Sequence, residues 1–389
     1  MGGSTDGRVL ITGGAGFIGS RLARRLRDEG RDVVVLDSMS PQVHGDVPAD
    51  EMAALHELRT VADVIVGSVT SDSDLRQALR GVSEIVHLAA ETGTGQSMYQ
   101  IDKYVSVNVG GTAKILDLLT REPHGVKRIV VASSRSIYGE GSYRTEDGRT
   151  VHPPHRAETD LEVGDFDVHM PGEGRIEVIP TAEDARLHPS SVYGITKQMQ
   201  ESLVMTVAPT LGIEPVSLRY QNVYGPGQSL QNPYTGILSI FSTRIRQGRE
   251  IRIFEDGLES RDFVYIDDVV AATARAVSHP DAAGEVFNVG SGVPTTVLEV
   301  VEALFDAYGA RVHAKVTGEF RLGDIRHNMA DTRRIREVMD FEARVTFREG
   351  VQRFAQWVMN EPIGRDELER SLHEMTQRNL LKTSRAEKR

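Results

Sequence analysis

The run Arg8-Val-Leu-Ile-Thr12, followed by Gly13-Gly-Ala-Gly-Phe-Ile-Gly19, constrains this chain more than any other stretch. A short, mostly apolar and β-branched run that stops at a glycine cluster reads as a buried strand, because it has too few residues for a helix. Residues 20–27 then carry an amphipathic helical pattern. Strand, glycine-rich turn and helix in that order commit the chain to an α/β plan of parallel strands covered by helices.

Two readings of the turn are open. It is either an ordinary strand-to-helix turn rich in glycine, or a phosphate-binding turn in which Gly13, Gly16 and Gly19 have separate tasks. In the second reading they give a tight turn, a place where backbone touches a pyrophosphate, and a close helix–strand contact. The helix N-terminus adds free amides and the positive end of its dipole. The next apolar strand, 32–36, ends in Asp37, about where an acid accepts the adenosine ribose hydroxyls of a dinucleotide. A carboxylate there repels a 2′-phosphate, and the next residue is Ser38 rather than arginine, so NAD is favoured over NADP.

Composition narrows the classes. With 389 residues, 39% of them hydrophobic, the chain can bury a large core in one large or two unequal domains. A net charge of −11 argues against nucleic acid as a partner, since phosphate binding rests on clustered Lys and Arg. No apolar run reaches membrane-spanning length, and polar residues 1–7 lead straight into the first strand without a signal-peptide apolar region. The absence of cysteine excludes disulfides, thiol nucleophiles and thiolate metal sites. The expectation is a cytoplasmic enzyme that contacts neither membrane nor nucleic acid.

Apolar strands continue to alternate with amphipathic segments. Residues 64–66, 84–90 and 127–132 read as strands, 72–79 as a helix and 105–119 as a long helix holding Asn108. Strand 127–132 runs into Ser133 and Ser134. Residues at the carboxyl ends of such strands face the ligand crevice, which makes Ser134 a catalytic candidate, although a polar strand end also serves as a plain turn or cap. Farther on, Lys197 lies four residues beyond Tyr193, so on a helix both side chains share a face. A phenol with a pKa of about 10 is a poor base at neutral pH, and a nearby cation favours its ionised form. The alternative is a surface helix that happens to carry both residues.

Together these features resemble the extended short-chain dehydrogenase/reductases that act on nucleotide sugars. The resemblance rests on the glycine turn at 13–19, Asp37, HLAA at 87–90, Asn108, Ser133-Ser134, YGITK at 193–197, RYQNVYGPG at 219–227, RDFVYIDD at 261–268 and RLGDIRHNMAD at 321–331. It spans about residues 8–360. Within that family the chain looks most like NAD-dependent 4-epimerases of the dTDP-L-rhamnose 4-epimerase and UDP-glucose 4-epimerase type.

The resemblance implies a Rossmann-type doubly wound parallel sheet with a smaller C-terminal α/β substrate domain. Residues 1–224 form the NAD-binding domain, interrupted by an insertion or lid at 141–188 and joined again by about 262–290. Residues 225–362 bind the nucleotide sugar, and 363–389 are a charged tail expected to fray in solvent. Ser134, Tyr193 and Lys197 match the catalytic set. Gly13, Gly16, Phe17, Ile18, Gly19, Asp37, Leu88, Ala89, Ala90, Asn108 and Tyr220, with Tyr193 and Lys197, match cofactor-binding positions. Thr94, Arg135, Asn222, Arg261, Arg321 and Asp324, with Ser134, match positions that hold a nucleotide-diphosphate sugar. Exposed arginines are more often merely solvated, but guanidinium forks suit diphosphate oxygens. The family also implies a homodimer through helices 105–119 and 193–207.

Departures from the pattern carry information. Related 4,6-dehydratases have an Asp-Glu pair directly after the catalytic Ser/Thr, because loss of water across carbons 5 and 6 needs an added acid and base. Here Arg135 and Ser136 stand there. Related 3,5-epimerases that also reduce use a Cys and His pair, and this chain has no Cys. A 4-ketoreductase and a non-catalytic NAD sensor of the same fold remain alternatives. Ser68 replaces the usual adenine-contacting Asp. His152, His155, His169 and His188 show no ligand spacing, so no metal is expected.

Overall fold

The computed structural model describes residues 7–45, 52–230, 236–363 and 368–385; residues 1–6 and the last positions of the expected frayed tail, 386–389, lie outside it. The first part of the chain gives β1 (Arg8–Thr12), β2 (Asp32–Asp37), β3 (Asp63–Val66), β4 (Val82–His87) and β5 (Arg128–Ser134). The expected insertion supplies β6 (Tyr143–Thr145), β7 (Thr150–Val151) and β8 (Ile176–Val178), which pair antiparallel in a small sheet of their own. Then come β9 (Glu214–Tyr220), β10 (Asn222–Tyr224), β11 (Ile251–Ile253), β12 (Ser260–Tyr265), β13 (Val286–Val289) and β14 (Pro294–Thr296). The last strands are β15 (Ala314–Val316), β16 (Glu319–Arg321) and β17 (Leu381–Thr383).

Seven strands form the central sheet in the order β13-β9-β5-β4-β1-β2-β3, every neighbouring pair parallel. This is a doubly wound Rossmann sheet, and its order reverses between β1 and β4, where a ligand crevice opens at the strand carboxyl ends. The two-residue period of a strand explains why β1 is apolar throughout. Val9 and Ile11 pack on one face against Leu22, Ala23 and Leu26 of helix Phe17–Asp28, while Leu10 packs on the other with Ile115, Leu118 and Leu119. Around this sheet, a β10-β12-β14 sheet, a β11-β15 pair and helices Ile237–Arg246, Val297–Tyr308 and Phe347–Asn360 make a smaller α/β layer.

Three local expectations are corrected. The strand expected over 84–90 ends at His87, so Leu88, Ala89 and Ala90 form a loop at the mouth of the crevice. The helix expected over 105–119 is interrupted, because Val105–Gly110 is a π-helical turn between helices Ile101–Tyr104 and Gly111–Arg121. Nor is the tail a frayed one over 368–385. It forms helix Leu368–Gln377 and then β17, which pairs antiparallel with β16. Its charges hid an apolar stripe, and Leu372, Met375 and Leu381 bury together against Phe254.

One buried ion pair fastens several of these pieces. Arg219 of β9 donates through Nε and Nη2 to both carboxylate oxygens of Glu201 at 3.0 and 2.6 Å, and through Nη1 to the Tyr138 hydroxyl and the Glu183 carbonyl at 2.8 and 2.7 Å. Glu201 lies on helix Val192–Val207, Tyr138 follows β5 and Glu183 belongs to the insertion. Removing one partner of such a pair strands a buried charge. Glu201→Ala is therefore expected to lower unfolding stability by about 3–5 kcal/mol, read as a lower urea midpoint at an unchanged slope.

Candidate active site

The glycine turn has the shape its spacing requires. Gly13 sits at φ 69°, and a Cβ there would lie 2.8 Å from the Ala89 amide nitrogen. At Gly19 a Cβ would meet the Gly13 carbonyl oxygen at 2.5 Å, so helix Phe17–Asp28 approaches the turn as only glycine permits. The first turn of that helix carries no acidic residue, which leaves its amides and dipole available to an anion. Asp37 receives the Ala15 and Met39 amides at 3.0 and 2.9 Å and so ties the end of β2 to the turn. A cavity of about 1040 Å³ runs along these elements, past Phe17, Ile18 and Leu88–Ala90 to Tyr193. Its length, glycine floor and helix N-terminus fit a dinucleotide.

Two expected cofactor residues lie behind that cavity. Asn108, on the π-helical turn, is fully buried. It receives the Glu91 amide at 2.7 Å and donates to the Glu91 carbonyl and Thr196 Oγ1 at 3.1 and 3.0 Å. It thus locks the loop after β4 to the helix that carries Tyr193. Tyr220 turns its ring into the core, where its hydroxyl meets Thr273 Oγ1 at 2.7 Å, because the alternation of β9 points it away from the crevice.

Helix Val192–Val207 brings Tyr193 and Lys197 over the end of β5. Ser191 caps it by accepting from the Gly194 amide, and the Tyr193 amide donates to Ser97 Oγ at 3.0 Å. Tyr193 lies beside Ser134, whose Oγ accepts from the Ser136 amide and hydroxyl at 3.2 and 3.0 Å. Burial pushes the Tyr193 phenol above its usual range, against the pull of the neighbouring Ser134 hydroxyl and of the Arg135 charge. Sequence reasoning assigned that pull to Lys197. The Lys197 ammonium instead donates to the Ala132 carbonyl at 2.9 Å, and burial lowers it to about 7. His87, bridging Thr12 and Thr112, is held neutral by burial and then by Lys197, at about 3.

Cations crowd the other side. Burial and the nearby Arg261 lower Arg135 to about 9. Arg261 donates to the carbonyls of Ser260, Ile325 and Arg326 at 2.7–3.0 Å, which orients its guanidinium without neutralising it. Arg321 lies 5.4 Å over the Phe254 ring and forms a 2.7 Å ion pair with Asp324. Burial alone would raise Asp324, yet Arg321, Arg261 and Arg156 together hold it below the ordinary carboxylate range. Asn222 Oδ1 is buried with no hydrogen-bond partner, as befits a group that awaits a donor on a ligand. Thr94 lines a small cavity beside Ser191 and Arg321.

Sequence reasoning missed Arg156 and Glu140. Arg156, its side chain 2% exposed, reaches from the insertion to both carboxylate oxygens of Glu255 at 2.7 and 2.8 Å and to the Asp324 carbonyl at 3.0 Å. Glu140, raised to about 7 by burial, receives the Arg326 amide. Both lie in a stretch with no recognisable spacing. Among the described residues no group of His, Asp and Glu is arranged to hold a metal ion, and no helix is long and apolar enough to cross a membrane.

Comparison with known proteins fits this geometry. The chain is 37% identical over 361 residues to a dTDP-L-rhamnose 4-epimerase of Burkholderia thailandensis, covering 92% of this chain and 96% of that protein. Its structure matches UDP-glucose 4-epimerase of Thermotoga maritima, solved with UDP-glucose, at TM-score 0.72 and 27% identity, over 90% and 98% of the two chains. It also matches MoeE5, solved with UDP-glucuronic acid and NAD, at TM-score 0.71 and 30% identity, over 91% and 99%. Residues 9–159 and 168–290 fit the sequence model of one family, and they hold the glycine turn, Asp37 and the Ser134, Tyr193 and Lys197 cluster: the chain belongs to the NAD dependent epimerase/dehydratase family.

Proposed function

We propose that this protein is an NAD-dependent nucleotide-sugar 4-epimerase acting on a dTDP- or UDP-hexose through a transient 4-keto sugar. The observation that carries this reading is the placing of Ser134 beside Tyr193, with Arg135 and Ser136 standing where a dehydratase has its acid and base. Gly13, Gly16 and Gly19 with the helix N-terminus hold the pyrophosphate of NAD, Asp37 its adenosine ribose, and Lys197 its nicotinamide ribose. When bound, NAD supplies the place to which a hydride leaves carbon 4 and from which it returns.

The protein's own groups handle the proton. Tyr193, ionised, takes the proton of the sugar 4-hydroxyl, and Ser134 donates to the reacting oxygen; positioned proton transfer of this kind is worth about 10²–10⁴-fold. A buried phenolate is costly, so its cationic surroundings matter, and Arg135 is the one that acts on it here. Arg261 and Arg321 bind the diphosphate, Asp324 the nucleotide ribose and Asn222 a polar edge of the substrate. Returning the hydride to the opposite face of the same keto carbon inverts it without net redox.

Three exposed apolar side chains, Val105 (44%), Ile195 (47%) and Met199 (44%), lie on the two helical segments that related enzymes pair in a dimer, and Ile101 (53%) lies on the short helix just before the first of them. Exposed aliphatics gathered on two neighbouring helices mark a contact surface, and we assign it to a homodimer with an isologous interface. Val105→Asp combined with Met199→Asp should convert a species of two chains into one of a single chain in multi-angle light scattering. An unchanged mass would place the interface elsewhere.

The chemistry is tested with a sugar nucleotide deuterated at carbon 4. The label should survive epimerisation with little solvent deuterium entering and no added reductant. Tyr193→Phe should lower turnover by at least about 10²-fold with NAD still bound. Loss of label to solvent, or a Tyr193→Phe protein of near-normal activity, would end this assignment.

A further inference from the structure

The segment 368–385 looks like dispensable tail by composition, yet it lies across the substrate side of the molecule. β17 pairs with β16 in the register Arg321↔Leu381, and the Leu322 amide donates to the Leu380 carbonyl at 3.0 Å. The strand that presents Arg321 is therefore held by this segment. On the opposite side the Arg378 guanidinium lies 4.3 Å over the Tyr99 ring, and the Tyr99 hydroxyl donates to Glu374 at 3.1 Å. Lys382 and Arg385 pair with Glu158 and Glu162 of the insertion. The segment thus spans three parts of the site: the loop beside Ser97, the insertion and the Arg321–Asp324 turn.

Its inward face is apolar and meets the site itself. Met375 and Leu380 line a cavity with Thr94, Met98, Ser191 and Arg321. Ser191 caps the helix of Tyr193, and Ser97 receives the Tyr193 amide, so one end of this cavity lies at the N-terminus of the helix that carries Tyr193. The other end is the Arg321 and Asp324 pair. A sugar joined to a diphosphate has to bridge those two ends. The cavity measures about 20 Å³, room for about one water and far less than a hexose ring.

Resting on the nucleotide-sugar reading above, we propose that residues 368–385 are a strap that completes the substrate site. It supplies Met375 and Leu380 as an apolar wall to the sugar of a nucleoside-diphosphate sugar, holds Arg321 in place for the diphosphate, and shifts to admit the substrate before packing against it. An apolar wall of this kind binds ground state and transition state alike, so its loss appears in KM more than in kcat.

The test uses the full chain. Met375→Gln and Leu380→Ser should each raise the apparent KM for the sugar nucleotide about tenfold, with kcat altered less than about threefold and bound NAD unchanged. Hydrogen exchange of the 380–384 amides should slow when UDP-glucose or a dTDP-hexose is added to the wild-type protein. Turnover with wild-type KM in both variants, and with no change in exchange, overturns the strap and leaves the epimerase reading intact. Slowed exchange without epimerisation of any sugar nucleotide supports the strap and removes the epimerase reading. Neither binding nor turnover with any of them removes both.

Discussion

The Arg219 guanidinium is the fastening on which the arrangement of this molecule depends. It lies inside the protein at the junction of the central sheet, the Tyr193 helix, the turn after β5 and the insertion, and its donors go to Glu201, Tyr138 and Glu183. Tyr138 passes the connection on to Asn288 of β13 at 2.8 Å, and the Asn288 amide returns to the Glu183 carboxylate at 2.8 Å. A buried charge is tolerable only with its partners in place. The position of the Tyr193 helix relative to β5 is thereby coupled to an edge strand of the sheet and to a segment whose composition resembles a surface loop.

The same low-dielectric surroundings set the chemistry. A phenol buried to exclude water is harder to ionise, which works against its use as a base. Ser134 and Arg135 oppose that cost at one end, and at the other Arg261 and Arg321 lie near Asp324, while Arg156 is already paired with Glu255. Arg261 and Arg321 beside one carboxylate leave a surplus of positive charge, of the sign that suits a diphosphate. Arg135 takes part at both ends, since Arg261 repels it and Tyr193 and Asp324 attract it.

What the sequence disclosed follows from what local patterns encode. β1, the glycine turn and Asp37 were legible because a strand buried on both faces, a turn that excludes Cβ atoms and an acid at a strand end each leave a signature within a few residues. The π-helical turn around Asn108 was not, since one additional residue in a turn leaves the apolar pattern nearly intact. The inward turn of the Tyr220 ring was not legible, because its motif fixes its position in the chain and not the face of β9 on which it falls. Arg156 and the strap were hidden for another reason. Both act through partners more than ninety positions away, Glu255 in one case and Tyr99 in the other, and charged residues in a polar stretch read as solvated until those partners are known.

The pairing of β16 with β17 also bears on how the molecule is made. The central sheet is complete once β13, ending at Val289, has docked beside β9, whereas the cleft over Arg321 gains its outer wall only when 381–383 have joined. Chains emerge at about 5–20 residues per second, and amino-terminal units fold first. For some seconds of each synthesis the nascent chain carries a finished dinucleotide cradle beside an open sugar cleft. NAD captured at that stage would stabilise the unfinished molecule by mass action and guide the remaining quarter of the chain onto a preformed surface.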